Sequence, residues 1–201
     1  MSLTTYSELV TAVQTWLHRS DVAGAAADFI TLAEAKFNRK LRLSAMETRA
    51  TSDLLAGEEY IAIPDRFLEM RNLQLDTTPI TSLEYMTPEI MDKRYGGVQG
   101  KPLFYAVIAD QIQIAPVPAS DYVIEMVYYR AFDPLSTVTN WLFDNHPDAY
   151  LYGAMMEAAP YMKDDKAIAR WAAFYNPIMD DLMKENDRLR WSGSAMAMRA
   201  F

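Results

Sequence analysis

The sequence predicts an α+β fold: a helical bundle formed by N- and C-terminal helices, with an antiparallel β-rich region inserted between them. Three observations predict it. Apolar residues recur at helical spacing near both ends of the chain. The middle instead alternates in the manner of strands and is rich in Val, Ile and Tyr, which suit a pleated surface. The composition, 51 % hydrophobic and 23 % charged, is that of a chain with a packed core. The 201 residues suit one domain, or one domain with a large insertion.

The first helical block spans residues 4–43. Thr5 and Glu8 form a capping box, each side chain satisfying a free amide at the helix start. Leu9, Val13, Trp16 and Leu17 then share a face. Ser20 or Asp21 is placed to cap a second helix, whose stripe is Phe29, Ala33, Phe37 and Leu41. Lys36, Arg39, Lys40 and Arg42 gather at its C-terminal end, where cations favour the helix dipole. The two helices are expected to form an antiparallel hairpin.

Helical periodicity fades from residue 44. Glu58 to Ile63 reads as a strand stopped by Pro64, and Arg71 to Leu75 as another. Leu103 to Ile108 and Gln111 to Ala115 flank a short turn, Ala109-Asp110, and predict a hairpin. Tyr122 to Arg130 is a further strand. Thr87-Pro88-Glu89 starts a short helix that Gly96-Gly97 ends. Pro116-Val117-Pro118 predicts an extended edge segment.

The last block begins at Asn145-His146-Pro147-Asp148, read as capping side chains, a proline in the first turn and an acid near the positive dipole end. Ala149 to Met162 is apolar on almost every side, so it is buried in its own core or against a neighbouring chain. Pro160 is expected to kink or end it. Ile168, Trp171, Tyr175, Ile178 and Leu182 form the stripe of a long final helix, with a kink expected at Pro177. Met155, Met156, Met162, Met179 and Met183 are expected as core filler. The organisation is therefore an N-terminal hairpin, 1–44, joining helices of 140–190 in one bundle, a β-rich insertion at 45–139, and an extended tail at 191–201.

Chemistry is sparse. There is no cysteine, so no disulfide, thiolate metal site or cysteine nucleophile exists. The two histidines, His18 and His146, lie in different blocks and form no metal-ligand spacing. No phosphate-binding glycine loop or serine elbow is present. No metal or other cofactor is expected. His146 with Asp144 or Asp148 leaves a small soluble hydrolase as an alternative, and an unrelated scaffold or binding module as another. The net charge of −8 opposes tight nucleic-acid binding. The start carries no basic cluster followed by an apolar run, so no secretory signal is expected. The stretch from Ala149 to Met162 is too short for a membrane span of about 20 residues.

The tail, from Trp191 through Met196 and Met198 to Phe201, has no amphipathic period to bury it and reads as either frayed or docked on a partner. Trp191, Met196, Met198 and Phe201 are therefore candidate interface residues. Tyr152 and Met156, on the helix that is apolar all round, are candidates too.

Several stretches carry a resemblance in order along the chain. They include Thr5-Tyr6, Trp16-Leu17-His18-Arg19-Ser20-Asp21, Ala33-Glu34 and Phe67-Leu68-Glu69. The most specific are Thr139-Asn140-Trp141-Leu142, His146-Pro147-Asp148, Tyr150-Leu151-Tyr152-Gly153-Ala154 and Glu157-Ala158-Ala159-Pro160, with Trp191-Ser192-Gly193 closing the set. The chain resembles the head-to-tail adaptor proteins of tailed bacteriophages, a group similar to the tail tubular protein A of short-tailed phages. The resemblance implies a virion structural protein with no catalytic residues. It implies a ring of copies, commonly twelve, beneath the portal, extending the DNA channel and offering a surface to tail or nozzle proteins. The implied partners are further copies of the chain, which is a monomer when free, together with the portal and the tail. DNA would pass without specific binding and no membrane is involved. The implied location is the head–tail junction of the virion, and the host cytoplasm during assembly.

Overall fold

The computed structural model describes residues 3–18 and 23–191. Helix α1 (Tyr6–Leu17) starts at the expected capping box. The Thr5 hydroxyl accepts from the Glu8 amide at 3.2 Å, and the Glu8 carboxylate accepts from the Thr4 and Thr5 amides at 2.8 and 3.2 Å. These bonds, that from the Thr4 amide first, hold the Glu8 carboxyl below its ordinary range. The helix ends where His18 turns left-handed, φ 51°.

The expected caps Ser20 and Asp21 lie outside the described residues. Helix α2 (Ala26–Lys40) instead starts from a 3₁₀ turn, Ala23–Ala25, and Ala25 at its N-cap makes no side-chain bond. Its stripe Phe29, Ala33, Phe37 and Leu41 is buried as the periodicity predicts, joined by Ala26 and Ile30.

Contacts cluster the chain into two units, residues 1–45 with 132–201, and residues 46–131. In the helical unit the hub is α5 (Pro147–Tyr161), on which both α1 and α2 pack more extensively than on each other. Ala149, Tyr150, Leu151, Gly153, Ala154, Met155, Ala158 and Ala159 are buried there. A helix apolar on almost every side therefore serves this unit's own core. Each large side chain so buried contributes about 1.5–3 kcal/mol. Gly153 sets the approach of α2: a Cβ there would lie 2.9 Å from Phe37 Cζ and 3.3 Å from Ala33 Cβ. Pro160 sits in the last turn, one residue before α5 ends.

The start of α5 differs from expectation. A short helix, α4 (Trp141–Asn145), precedes it, capped by Asn140. The Asn145 side chain donates back to the Trp141 carbonyl, and His146 at the α5 N-cap makes no capping bond. The first turn rests on Pro147, whose missing N–H is no loss at that position.

Helix α6 (Asp165–Trp191) runs unbroken through Pro177. Its buried line is Ala167, Tyr175, Met179, Leu182 and Asn186, with Ile168, Trp171 and Ile178 half-buried beside it. Met155 and Met179 are core residues as expected, whereas Met183 is 48 % exposed, because it projects from the flank of α6. Trp191 is the last helical residue and not part of an extended tail.

The second unit holds two four-stranded sheets. One has the order β1 (Glu47–Leu54), β10 (Tyr122–Arg130), β3 (Phe67–Leu75) and β4 (Thr81–Ser82), all antiparallel. The other runs β2 (Tyr60–Ala62), β8 (Gln111–Ala115), β7 (Phe104–Ile108) and β5 (Glu84–Tyr85). Its β7–β8 hairpin turns at Ala109, φ 53°. Leu54, Leu73, Leu75, Ile124 and Met126 of the first sheet meet Ile61, Ile112 and Ile114 of the second in one core. Helix α3 (Pro88–Tyr95) ends at Gly96-Gly97 as expected and packs Met91 on Ala106 and Ala115. Val117–Pro118, β9, pairs with Gln99–Gly100, β6.

Strand β1 was not expected. Its residues, Glu-Thr-Arg-Ala-Thr-Ser-Asp-Leu, carry little apolar alternation. It forms because β10 offers a full ladder, and Arg49 reaches Glu125 of β10 at 2.6 Å. Glu47 in turn pairs with Arg71 of β3 at 2.7 Å.

Candidate functional site

Aromatic side chains from three helices meet at one place on the helical unit. Trp16 comes from the end of α1, Tyr152 from α5, and Trp171 and Phe174 from α6. Trp16 meets Tyr152 edge-on at 5.9 Å and Trp171 at 5.9 Å, and Tyr152 stacks on Phe174 at 5.3 Å. The spacings are those of favourable aromatic pairs, each adding about 0.5–1.5 kcal/mol beyond its burial. The cluster is not sealed. Phe174 is 50 % exposed, and Thr15, Trp16, His18, Arg170 and Trp171 line an open cavity of about 270 Å³ beside it. Rigid aromatic rings with an arginine at their edge are the composition of an interface hot spot.

On the other flank of α6, Lys40 and Leu41 of the α2 end face Tyr175, Asn176, Met179, Asp180 and Met183 across a groove of about 530 Å³. Near the helix end, Leu43, Ala45, Trp141, Leu182 and Leu189 line a smaller apolar hollow of about 240 Å³. There the buried Asn186 accepts from both the amide and the hydroxyl of Ser44, at 2.7 and 2.8 Å, fixing α6 to the chain after α2.

His146 Nε2 faces Glu185 Oε2 of α6 at 3.7 Å, and its ring lies 5.4 Å from that of Trp141. Neither Asp144 nor Asp148 is its partner: the Asp148 carboxylate accepts from the Ala149 amide. Among the described residues no three His, Asp or Glu side chains could hold a metal ion. Burial raises the pKa of Tyr150, whose hydroxyl accepts from Asn140 at 2.8 Å. Tyr175 is pushed up to about 12, by burial first and by the Glu157 charge second. Glu157 is ion-paired with Lys36. Both tyrosines are core groups held neutral.

Of the residues singled out from sequence, Tyr152 belongs to the aromatic cluster, and Met156 is half-buried one position from Met155 on α5. Trp191 stands at the end of α6, 70 % exposed. Met196, Met198 and Phe201 lie outside the described residues. In the sequence Trp16 stood out as a stripe residue and within the resemblance, Trp171 as a stripe residue, and Phe174 and Arg170 were passed over. The available signal was the crowding of large aromatics at the edges of two apolar stripes. Charge is uneven along the chain: carboxylates outnumber cations almost two to one in residues 46–131 and nearly balance them elsewhere. No described helix is long and apolar enough to cross a membrane.

A model of the SU10 adaptor protein family matches the chain over residues 4–199. No curated protein matches it.

Proposed function

The chain belongs to the SU10 adaptor protein family, a family of phage head-to-tail adaptors, and from that premise we propose that it builds the ring joining portal to tail. The observation that carries the reading is the family match over residues 4–199, which takes in both units. Copies, twelve in the ring, assemble below the portal, extend the DNA channel and present a new surface to tail or nozzle proteins. The protein works by fit and not by catalysis.

The parts take distinct roles in this reading. The helical unit builds the ring wall, and its open aromatic cluster supplies contact surface. Residues 192–201, with Met196, Met198 and Phe201, reach the portal from the exposed Trp191. The net charge of −8 offers passing DNA no excess of cations to hold its phosphates, although most of that charge lies in residues 46–131 and little of it in the ring wall. The free chain is a monomer in the host cytoplasm and orders its contacts when the portal is met.

Electron microscopy of the purified chain mixed with its portal tests this. A ring of copies capping the portal, coaxial with its channel, is expected. The absence of the polypeptide from purified infectious particles would defeat the proposal.

A further inference from the structure

In the β-rich unit two carboxylates converge on one buried amide. Glu59 stands just before β2, Asp92 lies on α3, and Gln113 lies on β8 opposite Tyr60 in register. Gln113 Nε2 donates to Glu59 Oε1 at 2.6 Å and to Asp92 Oδ1 at 2.8 Å. Among the described residues no lysine or arginine pairs with either carboxylate. Two like charges thus share a neutral donor, and no opposite charge offsets their repulsion. Both charges also reach the Tyr60 phenol, which desolvation first, and then Glu59 and Asp92, hold above its ordinary range. The amide has a second peculiarity. Gln113 is 1 % exposed, and its Oε1 is buried with no hydrogen-bond partner among the described residues. A buried polar atom left so is uncommon, and an ion is one of the few groups that accounts for it.

We propose that Glu59, Asp92 and Gln113 bind a divalent cation of the calcium class. The two ends of an amide are alike in size, so the Gln113 side chain can turn over in place. Its oxygen then stands where the nitrogen stands now, 2.6 and 2.8 Å from the two carboxylate oxygens. Around the waist of a calcium pentagonal bipyramid, bonds of about 2.3–2.6 Å put neighbouring ligands about 2.7–3.1 Å apart. The three oxygens therefore fit as neighbours on one ion. The donors are two acids and an amide, all hard oxygens, with no imidazole or thiolate to favour zinc. Asp92 is exposed and Glu59 half-buried, so water can enter and complete the shell. The ion would offset the carboxylate repulsion, take up the orphaned oxygen, and tie α3 to the start of β2 and to β8. Three protein ligands place the affinity at the weak end of calcium sites, with Kd about 10⁻⁴–10⁻³ M. This site stands independently of the ring reading.

Thermal melting of the purified full chain, in EDTA and in CaCl₂, tests it. At a Ca²⁺ concentration ten times Kd the wild type should gain about 3–6 °C in Tm. Glu59→Gln and Asp92→Asn each remove one charged ligand outside the core, so both should fold and both should lose the gain. Gln113→Glu sets a third carboxylate at the same place with the same shape. It should melt below the wild type in EDTA and gain more than the wild type from Ca²⁺; if it does not fold, the first two variants decide alone. No rise in wild-type Tm up to about 10 mM CaCl₂, well above the Kd range of such sites, would overturn the proposal. A rise kept in full by both Glu59→Gln and Asp92→Asn would place the ion elsewhere and overturn it equally.

Discussion

Replacing Tyr175 by Phe deletes one oxygen atom from the core of the helical unit. Tyr175 is only 6 % exposed, its ring stacks on Phe37 with centroids 6.4 Å apart, and its hydroxyl has no hydrogen-bond partner among the described residues. Burying an unpaired hydroxyl costs about 1–3 kcal/mol. Its removal recovers part of that cost and gives up some packing around the vacated oxygen. The variant should therefore match the wild type at pH 8 or exceed it by about 1 kcal/mol, a rise in Tm of roughly 2–4 °C for a chain of this size.

The difference should also depend on pH. The folded pKa of Tyr175, about 12, lies above the unfolded value of 10.0. The folded state therefore holds its proton where the unfolded state releases one. The stability tied to that proton is fully present below pH 10.0 and is lost as pH rises through about 12. Over that window the loss is on the order of 2 kcal/mol, and Tyr175→Phe escapes it. Tyr150, raised further by burial, titrates in both proteins and cancels from the comparison. Urea unfolding of the two proteins at pH 8 and again between pH 10 and 12 reads the effect. A variant weaker than wild type by 1 kcal/mol or more at pH 8 would show that the hydroxyl is bonded. A gap that stays constant with pH would show that it titrates normally. Either result refutes the reasoning.

The same packing sets two further outcomes. Met155 is 1 % exposed in the centre of α5, so Met155→Asp buries a carboxylate with no cation provided and should unfold the helical unit, seen as loss of far-UV dichroism; a stable variant that merely fails to assemble would place Met155 at an interface instead. Deleting residues 191–201 takes away the exposed last residue of α6 together with residues 192–201, so melting should be unchanged while portal capture is lost; portal binding at wild-type strength after the deletion would separate the tail from docking.

The features that could be read from the chain are those whose physics is local. The capping box at Thr5 and Glu8, the Gly96-Gly97 stop after α3, the turn between β7 and β8 and the apolar spacing of α2 each depend on residues a few positions apart. An all-apolar α5 likewise announced burial, though not against what. The tertiary structure alone decided that its partners are α1, α2 and α6 of the same unit.

Other features depend on residues far apart and left no local mark. Strand β1 reads as polar coil until β10 supplies its hydrogen bonds and Glu125 meets Arg49. The start of α5 looks side-chain capped until α4 claims Asn145 and Glu185 faces His146. Trp16, Tyr152, Trp171 and Phe174 lie on three helices, and only packing gathers them into one surface. Spacing along the chain thus determined most of the elements and the α+β class, because side-chain period, caps and turns are short-range. Which surfaces remain open for assembly was settled by packing, because exposure depends on what every other element leaves uncovered.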